Sequence, residues 1–194
     1  MTTTDAKETE MLVRQISWMR VYCVELNTLE QPGMPMEKHQ EIMRLRGEAA
    51  HFFWLVSSLL KDALILGLDN LLDTPKADSK TQLTIEHVVK SLNDPIIQSD
   101  CKRMLAKIRG SDCYREVKIA RNHLIAHANR DTLLRRDGMS TKVNFPNLTI
   151  SRLEDLLQQV IELAGRAFGK LPSEFFFHEW DGVSQLFDRL RIRQ

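Results

Sequence analysis

Residues 52–72 constrain the fold most, because they are apolar nearly all round at helical periodicity. A helix of that kind is buried on most of its sides, as the central helix of a bundle is. Lys61 and Asp62 lie in its middle and Asp69 follows, so the sequence favours a core helix over a membrane span. Polar residues recur on one face of this helix at steps of seven and four and form a narrow polar seam: His51, Ser58, Asp62, Asp69 and Asp73.

The rest of the chain also has helical spacing, with apolar residues every three or four positions. We predict helices over residues 5–30, 36–72, 84–91, 95–109, 113–130 and 149–168, and a last helical segment over 173–192. Asp112 is the predicted N-terminal cap of the helix over 113–130. Residues 142–145 are the single plausible strand. The expected fold is therefore an all-α helical bundle that occupies residues 1–194 as a single domain.

Cysteine content indicates the cellular compartment of the chain, and the distribution of charge indicates the kind of ligand it can bind. Its cysteines, Cys23, Cys101 and Cys113, are odd in number and form no Cys-x-x-Cys pair, which favours free thiols in a reducing cytoplasm. Residues 1–8 contain no apolar stretch, so we expect no secretion signal. The formal net charge is +1, yet residues 102–142 contain eleven Lys/Arg and four Asp/Glu. That basic zone indicates either a binding site for a polyanion or solvated helix faces rich in Lys and Arg.

A short polar motif inside this basic zone carries the clearest chemistry. Residues 121–127 have the sequence Arg-Asn-His-Leu-Ile-Ala-His. A guanidinium stays charged and an imidazole titrates near neutral pH, so Arg121 and His127 together can bind a phosphate and move a proton. The motif therefore predicts a site that acts on a phosphate group.

The motif resembles the Arg-x(4–6)-His signature of HEPN domains, with a spacer of five residues and Asn122 in the polar position. Flanking segments at 68–73, 83–86 and 147–156 resemble the abortive-infection, AbiU-type branch of that superfamily. The chain departs from the family pattern at Asn70, where an arginine is usual. It also departs at Asn129, where some HEPN toxins carry a tyrosine that a partner nucleotidyltransferase modifies. The resemblance implies a HEPN core over residues 36–168, preceded by the helix over 5–30 and followed by a helical segment over 173–194.

The resemblance implies metal-independent cleavage of RNA, in which a ribose 2′-hydroxyl attacks the adjacent phosphate. His127 would be the general acid and base, because an imidazole works best with a pKa near the operating pH. Arg121 would stabilise charge on the scissile phosphate, and Asn122 would orient the phosphate or the imidazole. No metal and no cofactor is expected.

Further residues are expected around this pair. His123, Lys118 and Arg130 are candidates for binding RNA, and the seam residues Asp69 and Asp73 are candidates for holding Arg121 or an imidazole in place. Alternatively, Asp73 only begins the turn before Pro75. The expected partners are RNA, a second copy of the chain and a cognate antitoxin protein, and no membrane.

The spacing of the motif raises a geometric difficulty. Residues six apart on an ideal helix are separated by about 600° and about 9 Å of rise, so Arg121 and His127 point a third of a turn apart. Either the end of the helix is distorted, or two copies of the motif face each other across a dimer axis. The dimeric habit of HEPN proteins favours a homodimer whose two-fold axis passes close to the motif.

Two other interpretations stay open. In the first, the chain is a non-catalytic HEPN module that binds RNA, a nucleotide or a partner protein, and Arg121 forms a structural ion pair with Asp69 or Asp73. A metal site is a weaker alternative, since Glu48 and His51 have the Glu-x-x-His spacing of di-iron bundles but no second such motif exists.

Overall fold

The computed structural model describes residues 3–30, 44, 47, 49–74, 83–122 and 148–169, with the side chains of residues 3–6 and 30 excepted. These residues form α1 (Thr3–Glu30), α2 (Ala50–Leu72), α3 (Ile85–Lys90), α4 (Pro95–Arg109), α5 (Asp112–Ala120) and α6 (Ile150–Phe168). No strand occurs within the described ranges, which confirms the all-α prediction. The predicted strand at 142–145 and the helical segment at 173–194 lie outside them.

The predicted helices agree well with the observed ones where both can be compared. Those over 84–91, 95–109 and 149–168 match α3, α4 and α6 to within one residue at each end. The prediction over 36–72 contains α2, but most of residues 36–48 fall outside the description. The prediction over 113–130 begins with α5, and residues 123–130 are likewise outside.

Short polar side chains begin four of the helices. The caps are Thr84 for α3, Asp94 for α4, Ser111 for α5 and Thr149 for α6, and each accepts a hydrogen bond from a backbone N–H of the first turn. The predicted cap Asp112 was wrong by one residue, because Asp112 lies inside the first turn, where it pairs with Arg115. Ser111 and Asp112 are both capping types, and only the extended backbone of Ser111 selects between them.

One hydrophobic core joins the described helices. α1 packs against α2 and α6, α4 packs against α6, and α5 contacts α2, α4 and α6. At the contact of α1 with α2, a Cβ on Gly67 would lie 2.7 Å from the sulfur of Met19, so glycine permits this close approach. Fully or nearly fully buried members of the core include Leu12, Ile16, Leu26, Leu64, Leu68, Leu71, Val89, Leu105, Val117, Leu153, Leu157 and Val160.

The prediction that α2 is buried on most of its sides holds for one of its two faces only. Its inner face enters the core through Phe53, Leu64 and Leu68. Its outer face leaves Phe52 52% exposed and Leu59 59% exposed, so the prediction was wrong for this face. An apolar sequence reports only that a surface avoids water, and it does not say which partner covers that surface.

α2 is also the one helix in the described part of the chain that is long and apolar enough to cross a membrane. The core helix of a soluble protein passes the same test, and the inner face of α2 lies in the core of this bundle. Its middle carries Lys61 and Asp62, which a membrane interior disfavours. The cytoplasmic location stays a prediction.

Candidate active site at the contact of α2 with α5

Five polar residues meet where the end of α2 packs against α5, and we call them the α2–α5 cluster. Asp69 and Asp73 are one turn apart at the end of α2, so they lie on the same side of that helix. Tyr114, Lys118 and Arg121 are spaced by four and three residues along α5 and its C-terminal cap, so they also share a side. The cluster brings together four of the residues singled out in the sequence and adds Tyr114.

Arg121 is held between a buried carboxylate and an exposed amide. Its Nε lies 3.1 Å from Oδ2 of Asp69, and its Nη1 donates a hydrogen bond to Oδ1 of Asn122 at 3.0 Å. The side chain of Asp69 is 1% exposed, whereas that of Arg121 is 32% exposed. The Arg121 side chain therefore pairs with a buried carboxylate and stays partly exposed to solvent, where a phosphate can reach it.

The carboxylate of Asp69 is buried without a hydrogen bond from any described residue. The N–H of Arg121 is near Oδ2 but does not point at it, so the contact is an ion pair and not a hydrogen bond. Burial raises the pKa of Asp69 above its ordinary value, and the nearby charges of Arg121 and Lys118 offset only part of that effect. An unpartnered buried polar group costs about 1–3 kcal/mol, and more when it is charged.

Tyr114 repeats this pattern directly beside Asp69. Its hydroxyl is buried and has no hydrogen-bond partner among the described residues. Burial and the carboxylates of Asp69 and Asp73 raise the pKa of Tyr114, so the phenol stays protonated. Two unsatisfied groups in one place indicate that stability alone does not explain this arrangement.

Asp73 begins a turn, as one of the two predictions for it has it, and it contacts Lys118 and not Arg121. Its Oδ1 accepts a hydrogen bond from the backbone N–H of Thr74 at 2.9 Å, as expected of a residue that begins a turn. The same oxygen lies 3.4 Å from Nζ of Lys118, which in turn is 5.5 Å from the centre of the Tyr114 ring. Asp73 therefore contacts Lys118, while Asp69 contacts Arg121.

The helix changes geometry at the first residue of the motif. Arg121 and Asn122 follow α5 in the wider π-helical form, which is frequent at functional sites. A wider turn changes the angle between the side chains of these two residues from that of an ideal α-helix. His123, His127 and Arg130 lie outside the described residues, and their roles stay predictions.

A second group of charges lies nearby and was not predicted from the sequence. It consists of Glu86, Lys90 and Arg109, and we call it the α3–α4 cluster. Arg109 donates hydrogen bonds to the backbone oxygens of Leu72 at 2.6 Å and Asp73 at 2.8 Å, and to Oε2 of Glu86 at 2.6 Å. Lys90 lies 2.6 Å from the other oxygen of Glu86. These contacts hold the pKa of Glu86 below its ordinary value, with the hydrogen bond from Lys90 the largest cause. Arg109 thereby closes the end of α2 by binding its free carbonyls.

Metal and thiol chemistry find little support in the described part of the chain. No three His, Cys, Asp or Glu residues in it are placed to hold a metal ion. His51 is exposed on α2, and Glu48 is outside the description. Burial raises the pKa of the Cys113 thiol, which donates a hydrogen bond to the backbone oxygen of Arg152 at 3.3 Å. A raised pKa disfavours the thiolate, so the environment of Cys113 suits packing more than nucleophilic attack.

Comparison with known proteins adds one finding. Residues 6–169 match the model of the family HEPN_AbiU2, described as AbiU2. No curated protein and no solved structure matches the chain. The match confirms the resemblance seen in the motif and its flanks, and it extends that resemblance to α1.

Proposed function

This chain belongs to the AbiU2 family of HEPN domains, and on that premise we propose that it is a metal-independent endoribonuclease of toxin or phage-defence type. Membership supports an RNase-like or abortive-infection module. The single observation that carries the finer proposal is the contact between Arg121 and Asp69. A buried carboxylate that has no hydrogen bond from a described residue holds an arginine whose side chain is partly exposed to solvent. That arrangement orients a cation toward an incoming anion.

The proposed reaction is transesterification within RNA. The 2′-hydroxyl loses its proton to a base and its oxygen attacks the adjacent phosphorus. The bond from phosphorus to the 5′-oxygen breaks, and that oxygen takes up a proton, which leaves a cyclic phosphate and a 5′-hydroxyl. His127 moves the protons, Arg121 stabilises the charge that develops on the phosphate, and Asn122 orients the phosphate or the imidazole.

Asp69 acts in this proposal as a positioning residue. Its charge lies in a site shielded from water, where an ion pair is stronger than at the surface. A planar guanidinium that faces a fixed carboxylate on one edge keeps its remaining N–H groups in a defined direction. Lys118, His123 and Arg130 add positive or titratable groups around the RNA, and Asp73 restrains Lys118 at 3.4 Å.

We also propose that the active form is a homodimer with the motif helices near its two-fold axis. The outer face of α2 supports this, because Phe52, Leu55 and Leu59 form an exposed apolar stripe about 10 Å long. Exposed apolar patches of this kind mark interaction surfaces. A second copy would also bring a second motif to the same phosphate. A cognate antitoxin protein belongs to the same proposal.

The alternative function is a non-catalytic HEPN module that binds RNA, a nucleotide or a partner protein. The same contact favours it, since Arg121 and Asp69 also form the kind of ion pair that holds two helices together. Purified protein incubated with total RNA in EDTA separates the two. We expect cleavage that leaves cyclic phosphate ends and that is lost in Arg121→Ala and in His127→Ala.

The matched control is Arg115→Ala, because Arg115 is an exposed arginine on α5 whose partner is Asp112. This variant should cleave RNA at the rate of the wild type. All variants should have the circular dichroism of the folded chain. Folded wild-type protein that cleaves no RNA would establish the binding module in place of the nuclease.

The dimer has its own test by light scattering. We expect Leu59→Glu to give monomers that do not cleave RNA. Ile96→Glu, at an exposed apolar position on α4, should leave both the dimer and the cleavage unchanged. A wild-type monomer that cleaves RNA at full rate would disprove the shared site.

A further inference from the structure

A groove of about 300 Å³ lies between α3 and α4, outside the α2–α5 cluster. Its floor is apolar and is formed by Val89, Leu105 and Ala106. Its rim is charged and is formed by Glu86, Lys90, Lys102 and Arg109. An apolar floor under a basic rim suits a ligand that has both flat apolar parts and negative charges.

The charges of the rim do not cancel. Glu86 is the one acid among the residues that line the groove, and both of its oxygens are engaged by Arg109 and Lys90. Lys102 donates a hydrogen bond from Nζ to the neutral amide oxygen of Gln98 at 2.8 Å. The groove therefore carries an excess of positive charge that attracts anions.

A chain of contacts links the groove to the α2–α5 cluster. Arg109 lines the groove and donates a hydrogen bond to the backbone oxygen of Asp73. The side chain of Asp73 in turn lies 3.4 Å from Nζ of Lys118, which is next to Arg121 on the same side of the helix. Basic groups thus continue from Arg121 through Lys118 and Arg109 to the groove.

We propose that this groove binds the RNA strand that flanks the scissile phosphate. The inference rests on the proposed nuclease function and adds the path of the substrate. Lys90 and Lys102 contact phosphates, and the exposed side chain of Ala106 contacts the ribose. None of the described residues that line the groove is aromatic, so they supply no stacking platform. It therefore binds single-stranded RNA with little preference for sequence.

Binding of a fluorescent single-stranded RNA to the full-length protein tests the proposal over a range of salt concentrations. The RNA carries 2′-O-methyl groups throughout, so that it binds but cannot be cleaved. In the double variant Lys90→Gln/Lys102→Gln, we expect the Kd to rise about tenfold. We expect the slope of log Kd against log salt to fall by about 1.4, since each phosphate contact contributes about 0.7 for single strands.

The matched control is Arg103→Gln/Lys107→Gln, which removes two exposed cations of α4 that do not line the groove. The control should change the slope by less than half as much as the groove variant. Cleavage of a dinucleotide, which is too short to reach the groove, should be the same in both variants.

The outcomes separate the two proposals. If the wild type binds and cleaves RNA while both double variants lose the same affinity, the groove assignment is wrong and the nuclease stands. If the wild type neither binds nor cleaves RNA, the nuclease itself is wrong. If a free nucleoside monophosphate binds the groove and the RNA does not, the occupant is a nucleotide and the proposed RNA path is overturned.

Discussion

Two carboxylates near the end of α2 face arginines, and their surroundings have opposite effects. Glu86 accepts hydrogen bonds from Arg109 and Lys90 at 2.6 Å, and its pKa is lowered. Asp69 lies 3.1 Å from Nε of Arg121 without a hydrogen bond from a described residue, and its pKa is raised. Both sites pair a carboxylate with an arginine, but among the described residues only Glu86 receives hydrogen bonds from its cationic partners.

The difference separates a structural role from a functional one. A carboxylate with complete hydrogen bonds stabilises the folded chain, since its charged form is favoured there. A buried carboxylate without them lowers stability, so its presence needs another reason. Orientation of Arg121 toward a phosphate is such a reason. We therefore interpret the contacts of Arg109 with Glu86 and with the end of α2 as a clamp on the fold, and the α2–α5 cluster as part of the site.

The largest expected effect contrasts the two arginines. Arg121→Ala should lower the single-turnover rate of RNA cleavage by about 10²–10³-fold, as loss of one transition-state donor does elsewhere. Arg109→Ala should leave the cleavage of a dinucleotide, which does not reach the groove, unchanged but lower the free energy of unfolding by about 2–3 kcal/mol, because two carbonyls at the end of α2 lose their donor. Denaturant unfolding and cleavage assays measure both. Equal losses of stability in the two variants would remove the contrast.

Helix positions in this chain follow from sequence more readily than the contacts between helices. Pro95 and Gly110 set the ends of α4, and helical spacing places Asp69 and Asp73 on one side of α2. Because they share a side and Arg121 is positively charged, the sequence already suggests an ion pair between Arg121 and one of these two carboxylates. The clamp by Arg109 was missed, because it joins residues 36 and 37 positions apart that no local pattern connects.

The outer face of α2 shows a second limit of the sequence. Residues 52–72 are apolar on every side except the polar seam, and a buried central helix and a helix that awaits a partner have the same pattern. The periodicity therefore predicted the helix correctly. The exposure of Phe52 and Leu59 depends on which helices surround α2, and that is a property of the whole fold.

Smaller effects, of opposite sign, are expected when the stability of Asp69→Asn and Glu86→Gln is followed against pH. The folded chain binds a proton at Asp69 more tightly than the unfolded chain does. Wild-type stability therefore falls as pH rises from about 3.8 through the raised pKa, and Asp69→Asn becomes the more stable of the two over that range.

Glu86 has the reverse dependence because its pKa in the folded chain is lowered. Its contribution is fully present above an ordinary value of 4.5 and is lost as pH falls through the lowered pKa. Glu86→Gln should thus be less stable than the wild type above pH 4.5 and approach it in acid. Urea unfolding, measured at intervals of about one pH unit between about pH 3 and 7, follows both trends. Curves that shift in the same direction would contradict the comparison.

The smallest expected effect concerns the hydroxyl of Tyr114. Since it is buried and has no hydrogen-bond partner among the described residues, Tyr114→Phe should raise the free energy of unfolding by about 1 kcal/mol, because the cost of an unsatisfied group is removed. The ring itself stays in place and keeps the apolar contacts of α5. A loss of stability in a thermal or urea melt would mean that the hydroxyl is satisfied in solution.

The central claim is that Asp69 acts through Arg121, and the coupling of the two in single-turnover cleavage tests it directly. Asp69→Asn alone should slow cleavage by about 10–100-fold, as loss of a supporting contact does in other sites. The double variant Asp69→Asn/Arg121→Ala should cleave no more slowly than Arg121→Ala alone, because a positioning residue has nothing left to position. A double variant slower than Arg121→Ala by the full factor of Asp69→Asn would show that the two residues act independently and would contradict the account.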